Sequence, residues 1–212
     1  MRLRNLKNTE EILKNSPYFI SSPEKNKNKW STVFGNDNPI FVEIGMGKGK
    51  FIIEHAKKFP NINFIGLEKF DKVLARSLVK VPEGLDNLLI VRADAINIDN
   101  VFSNELTGIF LNFSDPWPKS RHESRRLTSP VFLNKYDKLF LNDNINIKMK
   151  TDNMGLFTYS VCSFSKHGYI IDDISLDLHN DSKFEEEDII TTEYEDKFSS
   201  KGMPIYYVNV KK

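Results

Sequence analysis

The chain has 212 residues, 40% of them apolar and 28% charged, the balance of one ordinary globular domain with a sizeable core. Its net charge is only +1, which excludes a uniformly basic nucleic-acid binder and leaves local basic patches to hold any polyanion. No apolar stretch reaches transmembrane length, no apolar signal core opens the chain, and the single Cys162 excludes an internal disulfide or a multi-thiolate zinc site, so a cytoplasmic protein with no metal is expected.

Residues 1–30 carry seven Lys/Arg against three Glu and lack clean periodicity. They read as a basic arm, free to be flexible, with at most a short helix near Glu10–Lys14. Residues 31–212 read as one domain, with no internal repeat or linker. Pro39 to Gly45 has the apolar run of a buried strand. It leads into Gly45-Met46-Gly47-Lys48-Gly49-Lys50 and a helical pattern at Phe51-Ile52-Ile53-x-x-Ala56. Strand, glycine turn and helix together let backbone N–H groups approach a nucleotide-like ligand. Phe64 to Glu68 is a second strand, and Glu68 lies 19 residues after Gly49, near the spacing at which an acid reaches ribose hydroxyls.

The glycine pattern, Glu43-x-Gly45-x-Gly47-x-Gly49, differs from Gly-x-Gly-x-x-Gly. An acid before the first glycine repels a pyrophosphate and attracts an ammonium. That favours S-adenosyl-L-methionine over NAD or a nucleoside triphosphate, and no hydroxyl follows Lys48 or Lys50 to make a P-loop. Asp71 to Val81 is an amphipathic helix. Leu88 to Arg92 is a third strand ending at Ala93-Asp94-Ala95, where Asp94 either accepts from the cofactor's adenine or caps the short helix near Ile98.

Ile109 to Phe113 is the fourth strand. It stops at Asp115-Pro116-Trp117-Pro118, because two prolines end a sheet ladder. A carboxylate and an indole thus sit on a stiff turn, followed by Lys119, Arg121, His122, Arg125 and Arg126. That set suits a polyanion bringing a planar base to a fixed acid. A helix over Ser129 to Phe140, a strand over Asn144 to Met149, a helix over Gly155 to His167 and a strand over Tyr169 to Leu176 follow. Lys183 to Asp188 reads as a solvated charged loop, and Ile205 to Val210 as the last strand. The sum is an α/β, Rossmann-like fold: a mostly parallel seven-stranded sheet, helices on both faces and an antiparallel last strand. Gly45, Glu68, Asp94, Asp115 and Asp152 all fall at strand C-terminal ends, where such sheets bind ligands.

These residues resemble the bacterial tRNA (guanine-N7)-methyltransferases that modify the variable-loop guanine at position 46. The marks are Val42-Glu43-Ile44-Gly45-x-Gly47-x-Gly49, Gly66-Leu67-Glu68, Asp94-Ala95, Asp115-Pro116-Trp117-Pro118-Lys119 with Arg121-His122 and Arg125-Arg126, Thr151-Asp152, and Thr192-x-x-Glu195. The resemblance implies a class I S-adenosyl-L-methionine-dependent enzyme acting on tRNA, with no obligatory protein partner and a monomer or homodimer as its state. It implies Glu43, Gly45, Gly47, Gly49, Glu68, Asp94, Ala95 and Asp115 at the cofactor, with Asp115 also catalytic. It implies Lys119, Asp152, Thr192 and Glu195 at the substrate, and Arg121, Arg125 and Arg126 read as phosphate contacts. Glu123-Ser124 departs from the more basic stretch expected between the basic pairs. Trp117 either stacks on the base or braces the turn. Rival readings are a methyltransferase of another substrate, an RNA-binding protein that lost catalysis, and a Rossmann dehydrogenase, the last disfavoured by the glycine spacing.

Overall fold

The computed structural model describes residues 8–184 and 189–212. Of the segment expected as a basic arm, residues 8–30 are described, and they are folded against the domain. Helix α1 (Thr9–Asn15) packs on the domain through Leu13, and a two-residue strand, β1 (Phe19–Ile20), follows. Helix α2 (Trp30–Phe34) then buries Trp30 completely, with its indole Nε1–H donating to the Val101 carbonyl at 3.0 Å. Trp30→Phe removes that donor and leaves a void against Phe102. The expected loss is about 1–3 kcal/mol of unfolding free energy in urea titration, and no loss would show the arm to be peripheral.

Segments of five or six residues, apolar runs in β2 to β5 and more polar in β6 and β7, form the remaining strands: β2 (Ile40–Ile44), β3 (Asn63–Glu68), β4 (Leu88–Arg92), β5 (Gly108–Asn112), β6 (Asn146–Thr151), β7 (Ile170–Ser175) and β8 (Tyr206–Lys211). They line up as β1-β4-β3-β2-β5-β6-β8-β7. β3 and β5 are buried along their whole length, as central strands of a parallel sheet must be. β8 runs antiparallel between β6 and β7, and the other pairs are parallel. All seven expected strands are present. β1 is the eighth, too short to show a period and defined by its pairing with Ile90 and Val91 of β4.

Helices α3 (Lys50–Lys58) and α4 (Asp71–Leu78) cover one sheet face with α1. Helices α2, α5 (Ile98–Val101), α6 (Pro130–Tyr136) and α7 (Met154–Lys166) cover the other. Each layer buries a continuous apolar cluster, one around Phe51, Ile52 and Leu74, the other around Trp30, Phe132, Leu133 and Phe157. Among the described residues no helix is long and apolar enough to cross a membrane. The chain builds outward from β2 through β3 to β4, then returns beside β2 as β5. This reversal opens a crevice at the C-terminal ends of β2 and β5, the usual ligand position in such sheets.

Candidate active site

The glycine turn after β2 borders that crevice: Gly45 lines it, whereas Gly47 and Gly49, also expected at the cofactor, are not among its lining residues. Gly45, Gly47 and Gly49 all have left-handed φ, +77°, +57° and +83°, which a side chain rarely tolerates. At Gly49 space is also short, since a Cβ would lie 2.9 Å from the Ser77 Cβ. The Gly45 and Met46 N–H groups donate to the Leu67 carbonyl at 2.8 and 3.1 Å, tying the turn to the end of β3. Above it lies a cleft of about 780 Å³. Gly45, Glu68, Asp94, Ala95, Asp115 and Arg125, all singled out in the sequence, line it together with Phe70, Ile96, Asn112, Trp117 and Val131.

Each acid occupies a distinct environment. Glu68 is buried, and its Oε1 accepts from the Lys69 and Phe70 N–H groups at 2.8 and 3.1 Å, which fixes the carboxylate at the head of α4. Asp94 serves as a cap, accepting from the Ile96 N–H at 3.3 Å, and pairs with Lys69 at 3.5 Å across the cleft while remaining exposed. Glu43 is 1% exposed and stands behind the cleft wall, with Oε1 held at 2.9 Å by the Asn112 amide. Its Oε2 is buried with no hydrogen-bond partner among the described residues. Burial, with the Asn112 bond and the Lys150 charge opposing it, pushes the Glu43 carboxyl up to about 8.

β5 delivers Asn112 to the wall and Asp115 to the mouth. Asp115 is exposed and accepts no bond from the described residues. Lys119 and Arg121 follow on the outer surface, exposed and without an ion pair among the described residues, at the start of a 3-10 turn over Ser120–Arg125. The Arg125 guanidinium stacks 4.9 Å over Trp117, and the His122 ring meets that indole edge-on at 5.7 Å. Arg126, expected at phosphate, turns inward onto the backbone carbonyls of Pro116 and Trp117. Glu123, the departure from the family pattern, accepts the Tyr159 hydroxyl at 3.0 Å and so braces this turn.

The residues after β6 that the resemblance implies at the substrate form a second group. Thr192 and Glu195 make a reciprocal capping box at the start of helix α8 (Glu193–Ser199), and Glu195 is fully buried. Its Oε2 pairs with Lys150 at 2.5 Å and its Oε1 with His179 at 3.0 Å. Glu195 therefore shapes the segment from within and offers no group to a ligand here. Burial lowers the Lys150 pKa despite the Glu195 charge. Tyr194 reaches back instead: its hydroxyl donates to Asp152 at 3.0 Å and its ring lies 5.0 Å from Phe113, which lines the cleft. Lys50 bonds Thr191 and Asp196, and Lys80 bonds Glu193 and the Lys48 carbonyl, so α8 is strapped to the glycine turn. The charged loop expected over Lys183–Asp188 has Lys183 paired with Asp173 at 2.9 Å, and residues 185–188 lie outside the described range.

Sequence reasoning missed Asn112, Phe70, Ile96 and Tyr194. Asn112 carried a usable signal, a polar residue closing an apolar strand two positions from a Ser-Asp-Pro turn. Phe70 and Ile96 carried one too, exposed apolar residues each two positions after a strand-end acid.

Residues 37–208 match the family described as "Putative methyltransferase". The chain is similar over its full length to a tRNA (guanine-N(7)-)-methyltransferase of Geobacillus sp. (strain WCH70), 49% identical over 100% of this chain and 96% of that protein. Proteins of the same name from Bacillus subtilis (strain 168) and Enterococcus faecalis (strain ATCC 700802 / V583) are 46% and 49% identical, covering 99% and 100% of this chain and 98% of each relative. Among solved structures, the 16S rRNA methyltransferase KamB superposes with a TM-score of 0.65 at 13% identity, over 87% of this chain and 92% of that one. An antibiotic-related methyltransferase gives 0.63 at 18%, with the same coverage. At such identities these two share the fold.

Proposed function

The chain belongs to the tRNA (guanine-N(7)-)-methyltransferase family, and on that premise we propose that it methylates N7 of the variable-loop guanine at position 46 of tRNA in the cytoplasm. The observation that carries the site assignment is the placement of Asp115: an exposed carboxylate with no partner among the described residues, on a proline-bracketed turn at the mouth of the cleft, with Lys119 and Arg121 following in the chain and making no ion pair among the described residues. S-adenosyl-L-methionine, when bound, supplies an electrophilic methyl group on its sulfonium. The cleft has groups of the right chemistry to hold that molecule. Glu68 Oε2 suits ribose hydroxyls, and Phe70 and Ile96 present apolar surface to the adenine; Glu43, buried behind the wall next to the lining residues Ile44 and Gly45, has an Oε2 with no donor among the described residues.

Guanine N7 carries an in-plane lone pair, so no base need remove a proton before attack. The protein's work is alignment and exclusion of water. Asp115 stabilises positive charge developing on the purine and accepts from the guanine N–H edge. Trp117 is occupied by Arg125 and His122, which favours bracing over stacking for its ring. Lys119 and Arg121 hold phosphates, and binding is therefore salt-sensitive. The test is transfer of labelled methyl to unmodified tRNA with nucleoside analysis, beside a tRNA lacking the variable-loop guanine. 7-Methylguanosine in the first alone is expected; label in both, or in neither, refutes the assignment.

Glu43 adds a pH signature. Its folded pKa of about 8 lies above the ordinary 4.5, so the fold retains a proton that the unfolded chain releases between those values. Its contribution to stability is complete below 4.5 and is lost as pH rises towards 8. An ammonium ligand favours the ionised form, so cofactor binding near pH 7 expels a proton and tightens as pH rises to about 8. Calorimetry in phosphate and in Tris should give different binding heats for the wild type and equal heats for Glu43→Gln. Equal heats in the wild type would place the ammonium elsewhere.

A further inference from the structure

The turn that carries Asp115 is conformationally awkward. Phe113 and Trp117 hold left-handed φ of +49° and +41°, a region bulky residues rarely occupy. Pro116 and Pro118 have no N–H, so the turn cannot pin itself through its own donors at those positions. The Phe113 N–H anchors its start to the Lys150 carbonyl at 2.8 Å; beyond that point the turn is held through its carbonyls, by donors from elsewhere.

Arg126 supplies them. Its Nε–H is shared between the Pro116 and Trp117 carbonyls at 3.2 and 3.3 Å, and Nη2 donates to the Trp117 carbonyl at 3.0 Å. The guanidinium lies 4.1 Å over the Tyr159 ring on α7, and the Tyr159 hydroxyl is anchored to Glu123. One edge and one face of the guanidinium are thereby engaged inside the protein, whereas the adjacent Arg125 is exposed. We propose that Arg126, backed by Tyr159, is a positioning residue that fixes the Asp115–Trp117 turn, and that it is not one of the phosphate contacts. This rests on the methyltransferase reading above. A planar fork matches two successive carbonyls, and a lysine ammonium is a single point charge that does not reproduce it. Catalysis by alignment is sensitive to such a brace, since a displacement of about 1 Å costs on the order of 10²-fold.

The experiment compares wild type, Arg126→Lys and Arg126→Gln in kcat, KM and tRNA affinity against salt. Chains labelled with 5-fluorotryptophan report the two tryptophans, Trp30 and Trp117, by fluorine NMR, with Trp117→Phe as assignment control. Both Arg126 variants are expected to lose kcat by about 10²-fold. KM and the slope of log affinity against log salt should stay unchanged, the Trp117 resonance should move, and the buried Trp30 resonance should not. Tyr159→Leu, which keeps the carbonyl bonds but removes the backing, should show the same pattern more weakly and covers the case in which Arg126→Gln fails to fold. A salt slope reduced by about 0.7–0.9 with kcat retained would make Arg126 a phosphate contact and overturn the proposal. Joint movement of both resonances, with cofactor and tRNA binding lost in proportion, would overturn it in favour of a general stability role. If the wild type transfers no methyl, the methyltransferase reading fails, while the resonance and salt-slope arms still report on Arg126.

Discussion

Asp115→Ala is expected to lower methyl transfer by about 10²–10³-fold, the usual cost of deleting one preorganised electrostatic partner of the transition state. tRNA affinity should stay near the wild-type value, because Asp115 is exposed and contributes no cation to the phosphate-binding surface. A carboxylate accepts from two guanine N–H groups at once. The amide of Asp115→Asn accepts from one and turns a donor toward the other, besides losing the charge. The Asn variant should therefore sit close to Ala in kcat/KM. Single-turnover rates at saturating tRNA and cofactor separate this from a binding defect, and wild-type rates in either variant would remove Asp115 from the chemistry.

The second large effect is on stability. Glu195→Ala leaves the Lys150 ammonium, only 6% exposed, with the Ile190 carbonyl at 2.8 Å as its one hydrogen-bond partner among the described residues, over the Phe51 ring at 5.0 Å. Breaking a buried pair by removing one partner costs about 3–5 kcal/mol, because the remaining charge is stranded. The same change deletes half of the Thr192 capping box, so the start of α8 should fray as well. Urea unfolding measures the loss, and a deficit under about 1 kcal/mol would mean that water reaches Lys150. The double replacement Lys150→Met with Glu195→Leu should recover much of the stability, since paired apolar groups carry no desolvation cost. It should not recover the Tyr194–Asp152 contact that depends on how α8 begins.

What could be read in advance followed from local rules. The strands ending at Gly45, Glu68, Asp94 and Asp115 are apolar runs stopped by turn-forming residues, and that alone places the cleft. The Thr192-x-x-Glu195 spacing is a capping box by its own chemistry, and the resemblance implies a place at the substrate for it, but nothing local reveals that Lys150 waits on β6 to bury the acid. Arg125 and Arg126 are indistinguishable as letters. One position of rotation at the end of a 3-10 turn sends the first over the half-buried Trp117 indole and the second onto two carbonyls. β1 and Trp30 escaped for the same reason: their partners, Ile90 and Val101, lie about seventy residues away in the chain.

The strand order carries a consequence for biosynthesis. β8 follows every other described strand in the chain, yet it sits between β6 and β7 and is the sole sheet neighbour of β7 among the described residues. Until the β8 residues have left the ribosome, β7 has no ladder to join, and the outer edge of β6 stays open for mispairing with other chains. The cleft between β2 and β5 is complete well before that. A nascent chain can thus hold an assembled cofactor crevice while one side of its sheet is unfinished, and a stop codon just before Tyr206 would remove two strands from the sheet rather than one.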